Sequence, residues 1–292
     1  MALKGRLLKQ EPLRKYTSWR VGGPAWQMYF PADRDDLRQF LMTLPALEPV
    51  FWIGLGSNLL VRDGGIRGTV IYTRGRLKEM AMLEDDLVYV EAGVPCAHVA
   101  RFCADAGLAG TEFLVGIPGT MGGALKMNAG AFASETWEFV ESVEMIDAAG
   151  RVTVRASDDF DIAYRSVQIP AREWFVAARL RLVKGGSTAS QERIRALLAR
   201  RAQTQPTNQA TCGSVFKNPP GGHAAKLIEA AGLKGFCIGG ACVSEKHANF
   251  IINTGKARAA DIEALIEHVR AEVTAREGIK LQSEVCIVGE AL

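Results

Sequence analysis

An α+β protein in two parts is what the sequence predicts, with a long strand-rich region followed by a smaller C-terminal α/β domain. Three observations carry that expectation. Between Gly64 and Val183, short apolar runs recur (GTVIY, DLVYVEA, SVEMIDAAGRVTV, WFVAARLRL), and the last holds apolar residues at alternate positions 174, 176, 178, 180 and 182, the period of a strand. From Gln191 onward, helical patterns alternate with strand patterns, as in an α/β layer. Between the two lies GGSTAS, residues 185–190, with the composition of a linker.

Element by element, residues 17–63 open with a Gly-Pro turn in VGGPAW. The helix DRDDLRQFLMTL follows, with Asp33 as N-cap and Leu37, Phe40, Leu41 and Leu44 on one face. The strand VFWIGLG then ends in the turn GSNLLV. In the strand-rich zone, SVEMIDAAGRVTV reads as a hairpin about an Ala-Gly turn, and a helix is expected near 96–106. Beyond the linker come the helix QERIRALLARRAQ closed by Pro206, the loop TCGSVFKNPPGG, and the helical AAKLIEAAGLKG stopped by Gly232 and Gly235. The strand ANFIINTG precedes an amphipathic helix with Ile262, Leu265, Ile266, Val269 and Val273 on one face, and SEVCIVGE is the final strand.

Composition excludes several classes. The 292 residues are 48% hydrophobic and 23% charged, a globular profile, and the net charge of +3 comes from scattered basic residues rather than a nucleic-acid-binding stripe. No apolar run is long enough for a membrane span, and MALKGRLLKQEPLRKYTS lacks an apolar leader core, so a cytoplasmic protein is expected. The six cysteines form no CxxC pair and the four histidines no metal-ligand spacing, so reduced thiols and no metal are expected. Cys212, two residues before Ser214, is read as an inert thiol, with a nucleophile as the alternative.

Two glycine-rich loops follow apolar segments: GLGSN at 54–58 and GIPGTMGG at 116–123. Neither is GxGxxG or a P-loop. Each is either a tight turn or a backbone nest whose N–H groups bind phosphate, as a pyrophosphate-bearing cofactor would require. In TCGSVFKNP, Ser214 is either a turn-former or a positioned proton donor, and no GxSxG elbow surrounds it. Arg165 in DIAYRS is either solvated or a carboxylate clamp, and Glu284 is either at a wet strand end or partly buried.

Taken together and in order, YTSWRVGGPA, GLGSNLLV, GIPGTMGGALKMNAGAF, AYRS, CGSVFKNP, VSEKHANFIINTG and the terminal SEV resemble the UDP-N-acetylenolpyruvoylglucosamine reductases of bacterial peptidoglycan synthesis, from about Tyr16 to Glu284. The resemblance implies a two-part FAD-binding region of the vanillyl-alcohol-oxidase (PCMH) type at 17–183, with subdomains of about 17–63 and 64–183, and a substrate-binding domain at 191–292. It implies noncovalent FAD, NADPH as co-substrate, and reduction of UDP-N-acetylglucosamine enolpyruvate to UDP-N-acetylmuramate; a monomer without nucleic-acid, membrane or metal partners is expected. Matching positions make Arg165, Ser214 and Glu284 catalytic, with Ser214 delivering a proton. The FAD contacts would be Gly54, Gly56, Ser57, Asn58, Leu59, Gly116, Ile117, Pro118, Gly119, Thr120, Gly122, Gly123 and Asn128. The substrate contacts would be Arg165, Lys217, Asn218, Lys234 and His247. The short stretch VQIPAREWF after Arg165 is similar to the shorter of the family's two types, which lacks a tyrosine-bearing loop. Two rivals share the glycine loops: an alcohol or hydroxy-acid oxidase of the same flavin fold, and a noncatalytic nucleotide-sugar binder.

Overall fold

A computed structural model describes residues 3–292. The chain gathers into two compact units, each assembled from separate stretches. The first takes the chain up to Leu8, Gln27–Leu55 and Gly68–Arg200; the second takes Lys9–Trp26, Gly56–Arg67 and Arg201–Leu292. The expected division at 17–183 and 191–292 cuts the chain into consecutive blocks. By contact, residues 9–26 and 56–67 instead belong with the C-terminal third.

In the first unit, helix α1 (Arg34–Thr43) starts as the sequence predicts. The Asp33 carboxylate accepts the Asp36 N–H at 2.8 Å, satisfying an amide that a helix start leaves open. Leu37, Phe40 and Leu41 are buried with Tyr29 and Ile71, and Leu44 packs at the edge of that cluster. Strand β3 (Val50–Ile53) lies parallel to β5 (Ile66–Tyr72) in a sheet of order β1-β2-β5-β3, Val50 facing Thr69 and Ile53 facing Tyr72; the parts of the sheet that fall in this unit are residues 6–8, 27–30, 50–53 and 68–72. Two members of this sheet, β1 (Arg6–Pro12) and β2 (Pro24–Phe30), have no counterpart in the sequence reading. The mostly exposed RLLKQEP has no apolar alternation to betray it, and β2 opens on a proline that reads as turn but is tolerated at the first position of a strand.

A five-stranded antiparallel sheet forms the rest of this unit, in the order β12-β11-β15-β7-β6. Its strands are β6 (Met80–Met82), β7 (Leu87–Glu91), β11 (Val140–Asp147), β12 (Val152–Ala156) and β15 (Glu173–Arg181). The β11/β12 hairpin is the expected one, with Ile146 facing Val152. Strand β15 is buried on both faces, however. Val176 joins the α1 cluster, while Phe175, Ala178 and Leu180 join a second core with α2 (Cys96–Asp105) and α3 (Met121–Met127). A central strand covered on both sides carries apolar residues throughout, which is why Phe175 and Ala177 break the alternation.

The short pair β8 (Leu108–Ala109) and β16 (Val183–Lys184) precedes α4 (Ser187–Thr204). This corrects the linker reading of GGSTAS. Only Gly185 and Gly186 precede the helix, and Ser190 is buried with its hydroxyl donating to Glu112 at 2.7 Å. Serine and threonine at a helix start mimic linker composition. Two small hairpins complete the unit: β9 (Gly130–Ala131) with β10 (Ser134–Glu135), and β13 (Ile162–Ala163) with β14 (Ser166–Val167).

The second unit packs α5 (Ala224–Ala230) and α6 (Ala259–Glu277) on a sheet of order β17-β20-β19-β18. Its strands are β17 (Ala210–Thr211), β18 (Cys237–Ile238), β19 (Ala241–Val243) and β20 (Ile251–Asn253). The five apolar residues predicted on one face of α6 are all buried. Its N-terminus is capped from far away in sequence, because both carboxylate oxygens of Asp63 accept amides, from Ala259 and Ala260, at 3.0 Å each. Strand β4 (Leu59–Val61) lies parallel to β21 (Cys286–Val288), and the fully buried Trp19 donates its indole N–H to the Ile251 carbonyl at 2.7 Å. These contacts tie residues 9–26 and 56–67 to this unit.

The structure also corrects the cysteine expectation. Cys237 and Cys242 face each other across β18 and β19 and form a disulfide, while Cys96, Cys103, Cys212 and Cys286 are free. Their spacing of five gives no motif, and only the tight Gly239-Gly240 turn between them makes them neighbours. Among the described residues, no helix is long and apolar enough to cross a membrane, and no cluster of three or more His, Cys, Asp or Glu could hold a metal.

Candidate active site

The two glycine loops differ in what they leave open. In the second unit, the carbonyls of Gly56, Ser57 and Asn58 accept from the Ser18 amide at 3.2 Å, the Cys212 thiol at 2.8 Å and the Cys286 amide at 3.0 Å. The amides of the same three residues meet no protein acceptor among the described residues. Gly56 has φ +65°, and a Cβ there would lie 2.1 Å from the Tyr16 carbonyl oxygen, so only glycine lets the YTSWR segment brace this turn. Successive amides turned away from protein acceptors form an anion nest.

Residues 116–123, in the first unit, are a different case. The amides of Ile117, Gly119, Met121 and Gly122 are bonded to the carbonyls of Leu114, Ile117, Val94 and Ala92. The glycines here make room for protein: a Cβ on Gly116 would strike the Phe132 ring at 2.6 Å, and one on Gly122 would meet Ala92 Cβ at 2.9 Å. Thr120 supplies what remains. Its hydroxyl is buried without a hydrogen-bond partner, lies where a Gly54 Cβ would come within 2.2 Å, and is the nearest atom, at 3.9 Å, that a Cβ on Gly123 would meet. A buried hydroxyl without a partner calls for a ligand group, so the residues present fit a polar cofactor such as FAD. Pro118 is exposed and Ile117 packs on the core, while Leu59 lies within β4.

Ser214 and Glu284 come together in the second unit. Gly213, with φ +75°, turns the chain into Ser214; Val215 and Phe216 behind it are buried. The Glu284 amide donates to the Val215 carbonyl at 2.8 Å, and Phe216 bridges to Ser283. The buried Asn249, which sequence reasoning missed, clamps the loop: it accepts the Phe216 amide at 3.0 Å and donates to the Phe216 carbonyl at 2.8 Å. Asn58 secures the other side with an amide N–H on the Glu284 carbonyl. The side chain of Asn58 therefore braces the Glu284 backbone.

Arg165, in the first unit, occupies the two-residue turn between β13 and β14 with φ +53° and stacks on the Tyr164 ring. Its Nη1 donates to Glu135 Oε1 at 2.9 Å and to the Asn128 carbonyl at 3.1 Å, and its Nη2 donates to the Gly130 carbonyl at 2.8 Å. Glu135 is a second residue missed from sequence; a carboxylate shortly after a glycine-rich loop, with an arginine downstream, was the available signal. Asn128, expected at the cofactor, is 3% exposed. Its side-chain amide donates to Glu135 Oε2 at 2.7 Å and to the Ala163 carbonyl at 3.3 Å, and its oxygen accepts from Trp137. The side chain of Asn128 thus serves Arg165.

Of the expected substrate contacts, all in the second unit, Lys217 is half-buried with its amide on the Gln282 carbonyl. Asn218 accepts the Ala224 amide at 3.1 Å, at the start of α5. Lys234 pairs with Glu229 at 2.8 Å. His247 has a buried Nδ1 without a partner and sits edge-on to Phe250; desolvation, aided by the nearby charge of Lys234, holds its imidazole below the usual pKa. Burial pushes the Cys212 thiol well above its ordinary pKa, which makes it the inert thiol rather than the nucleophile.

Family models match the chain in two places: an FAD binding domain over residues 27–155, and the C-terminal domain of UDP-N-acetylenolpyruvoylglucosamine reductase over residues 205–288. The reductase of that name from Methylococcus capsulatus is 59% identical over 99% of this chain and 95% of its own. The Legionella pneumophila (strain Corby) protein is 56% identical over 99% and 94%. A crystal structure of the reductase from Thermus caldophilus superimposes with a TM-score of 0.84 at 32% identity, covering 98% of this chain and 99% of that one.

Proposed function

The chain belongs to the UDP-N-acetylenolpyruvoylglucosamine reductase family, a flavin-dependent oxidoreductase with FAD as its cofactor, and on that footing we propose that NADPH drives its reduction of UDP-N-acetylglucosamine enolpyruvate to UDP-N-acetylmuramate. The cofactor, when bound, supplies the hydride. Within the first unit the Thr120 hydroxyl is left available for a polar group, and within the second unit the amides of residues 56–58 are left available for an anion.

Hydride arriving at the enol-ether methylene carbon leaves an electron pair on the neighbouring carbon, delocalised into the substrate carboxylate. Arg165, fixed by its turn and its carbonyl contacts, stabilises that dianionic carboxylate. Ser214 delivers a proton to the carbon that carries the pair, completing addition of H⁻ and H⁺ across the double bond. Glu284, whose backbone adjoins the Ser214 loop through its amide on the Val215 carbonyl, contributes a hydrogen bond to the intermediate. Lys217, Asn218, Lys234 and His247 hold the UDP-sugar.

The observation carrying this proposal is the Glu284 amide on the Val215 carbonyl at 2.8 Å, which sets a hydroxyl and a carboxyl on adjoining backbone in one unit. A nucleotide-sugar binder has no need of that pairing. The proposal carries with it a cytoplasmic location. Anaerobic NADPH oxidation by the yellow protein, with and without the enolpyruvyl sugar, tests it. Stoichiometric turnover only with the sugar is expected; flavin reduction without turnover would return the oxidase and binding-protein alternatives.

A further inference from the structure

Arg165 stands in backbone that an arginine rarely adopts, and it does so in company. Asn128 (φ +40°), Phe132 (φ +54°), Ala133 (φ +68°) and Arg165 (φ +53°) are four of the seven non-glycine residues with positive φ among those described. Phe132 and Ala133 form the two-residue loop of the β9/β10 hairpin, a turn with left-handed backbone at both positions that ordinarily selects Asn-Gly. Such concentrations persist only where surrounding contacts over-determine them. Here the hairpin sets Glu135 opposite Gly130. The carboxylate and the carbonyl opposite it then receive the two arms of the same guanidinium.

The chemistry at Glu135 requires a carboxylate. Oε1 accepts from Arg165 and Oε2 accepts from the Asn128 amide, so both oxygens act as acceptors. A glutamine, with one acceptor and one donor group, satisfies only one of the two. Asn128 cannot swing away, because its remaining polar capacity is engaged by Ala163 and Trp137. Gly130 closes the arrangement: a Cβ there would lie 2.9 Å from Arg165 Nη1 and 2.6 Å from the Ser134 carbonyl oxygen.

From this geometry we infer that Glu135, braced by Asn128, is a positioning residue that fixes the Arg165 guanidinium before substrate arrives. Arginine carries large side-chain entropy, and a fork already held in place loses less of it on meeting a carboxylate. The inference rests on Arg165 being the substrate-carboxylate clamp.

Stopped-flow measurement of the two half-reactions tests it with Glu135→Gln, Arg165→Met and the double variant. Glu135→Gln is expected to slow flavin reoxidation by the enolpyruvyl sugar about ten- to a hundredfold, with NADPH reduction within about twofold of wild type. In the Arg165→Met background, adding Glu135→Gln should bring no further loss. A loss that persists undiminished in that background marks a merely structural role and overturns the inference, as does wild-type reoxidation in Glu135→Gln. Wild-type reoxidation in Arg165→Met removes the clamp itself. If Glu135→Gln does not accumulate as folded yellow protein, Glu135→Asp, which keeps both acceptors but withdraws them by one methylene, goes through the same cycle, and the same outcomes support or overturn the inference.

Discussion

Asn58 donates its side-chain amide to the backbone carbonyl of Glu284 at 3.0 Å, across 226 residues of sequence. One glycine-loop residue thereby holds the strand end that carries a proposed catalytic carboxyl. Asn58→Ala should lower the urea-unfolding free energy by about 1–2 kcal/mol, the usual loss when a half-buried carbonyl is left without its donor. Turnover should fall with it; unchanged turnover at reduced stability would confine Asn58 to a structural task.

Ser214→Ala separates proton delivery from hydride chemistry. The hydroxyl is the proposed proton source, so turnover of the enolpyruvyl sugar should drop about 10²- to 10⁴-fold. Flavin content and NADPH reduction should match wild type. Stopped-flow absorbance of the flavin reads both, and unimpaired turnover would remove Ser214 from the chemistry.

Thr120→Val replaces a buried hydroxyl that has no protein partner with a methyl group of similar size. Protein stability without cofactor should therefore not fall, while the FAD dissociation constant should rise about three- to tenfold, the value of one net hydrogen bond. Thermal melting of the apoprotein and fluorescence titration with FAD give the two numbers. A destabilised apoprotein with unchanged FAD affinity would show that the hydroxyl serves the fold.

The paired cysteines predict a thiol count. With six cysteines and one disulfide, denatured protein prepared without reductant should show four reactive thiols, and six after reduction. Peptide mapping after alkylation should leave 237 and 242 unmodified and linked. Six thiols in the untreated protein would mean that the pair is reduced in solution.

His247 should confer a pH dependence on stability. Its folded-state pKa lies below the unfolded value because burial opposes the charge, with Lys234 acting in the same direction and Glu229 against it. As pH falls through about 6.5, the unfolded imidazole takes up a proton first, so stability is lost on acidification and fully present above that range. Chemical denaturation from pH 8 to pH 5 measures the slope, and His247→Asn should flatten it. An equal slope in the variant would assign the effect elsewhere.

Most of the regular elements could be read from local pattern. The Asp33 cap, the buried face of α6 and the β11/β12 hairpin follow from period and capping chemistry that act over a few residues. What escaped reading was non-local. GGSTAS has linker composition, yet Ser190 finds Glu112 78 residues earlier and the helix begins there. Cys237 and Cys242 become partners only because a two-strand turn closes between them. At the candidate site, residue types with reactive groups stood out in the sequence, whereas Glu135 and Asn249 did not. Their importance lies in what they grip, and a gripping carboxylate or amide looks in sequence like any surface Glu or Asn. The glycines of 116–123 were legible as places of close approach, but in several cases the approaching group is protein, such as Phe132 and Ala92.

The interleaving of the two units governs the order in which the molecule can be made. The chain passes between them at residues 8/9, 26/27, 55/56, 67/68 and 200/201. During synthesis β4 emerges early and waits for β21, and Asp63 waits for the helix it caps. Until Ile251 leaves the ribosome Trp19 lacks its partner, and until residues 286–288 follow so does the strand at 59–61. Fragments cut at residue 200 should therefore fold poorly alone, the C-terminal piece because it lacks two of its stretches and the N-terminal piece because it exposes them. A nascent chain stalled before that point presents this apolar surface to chaperones.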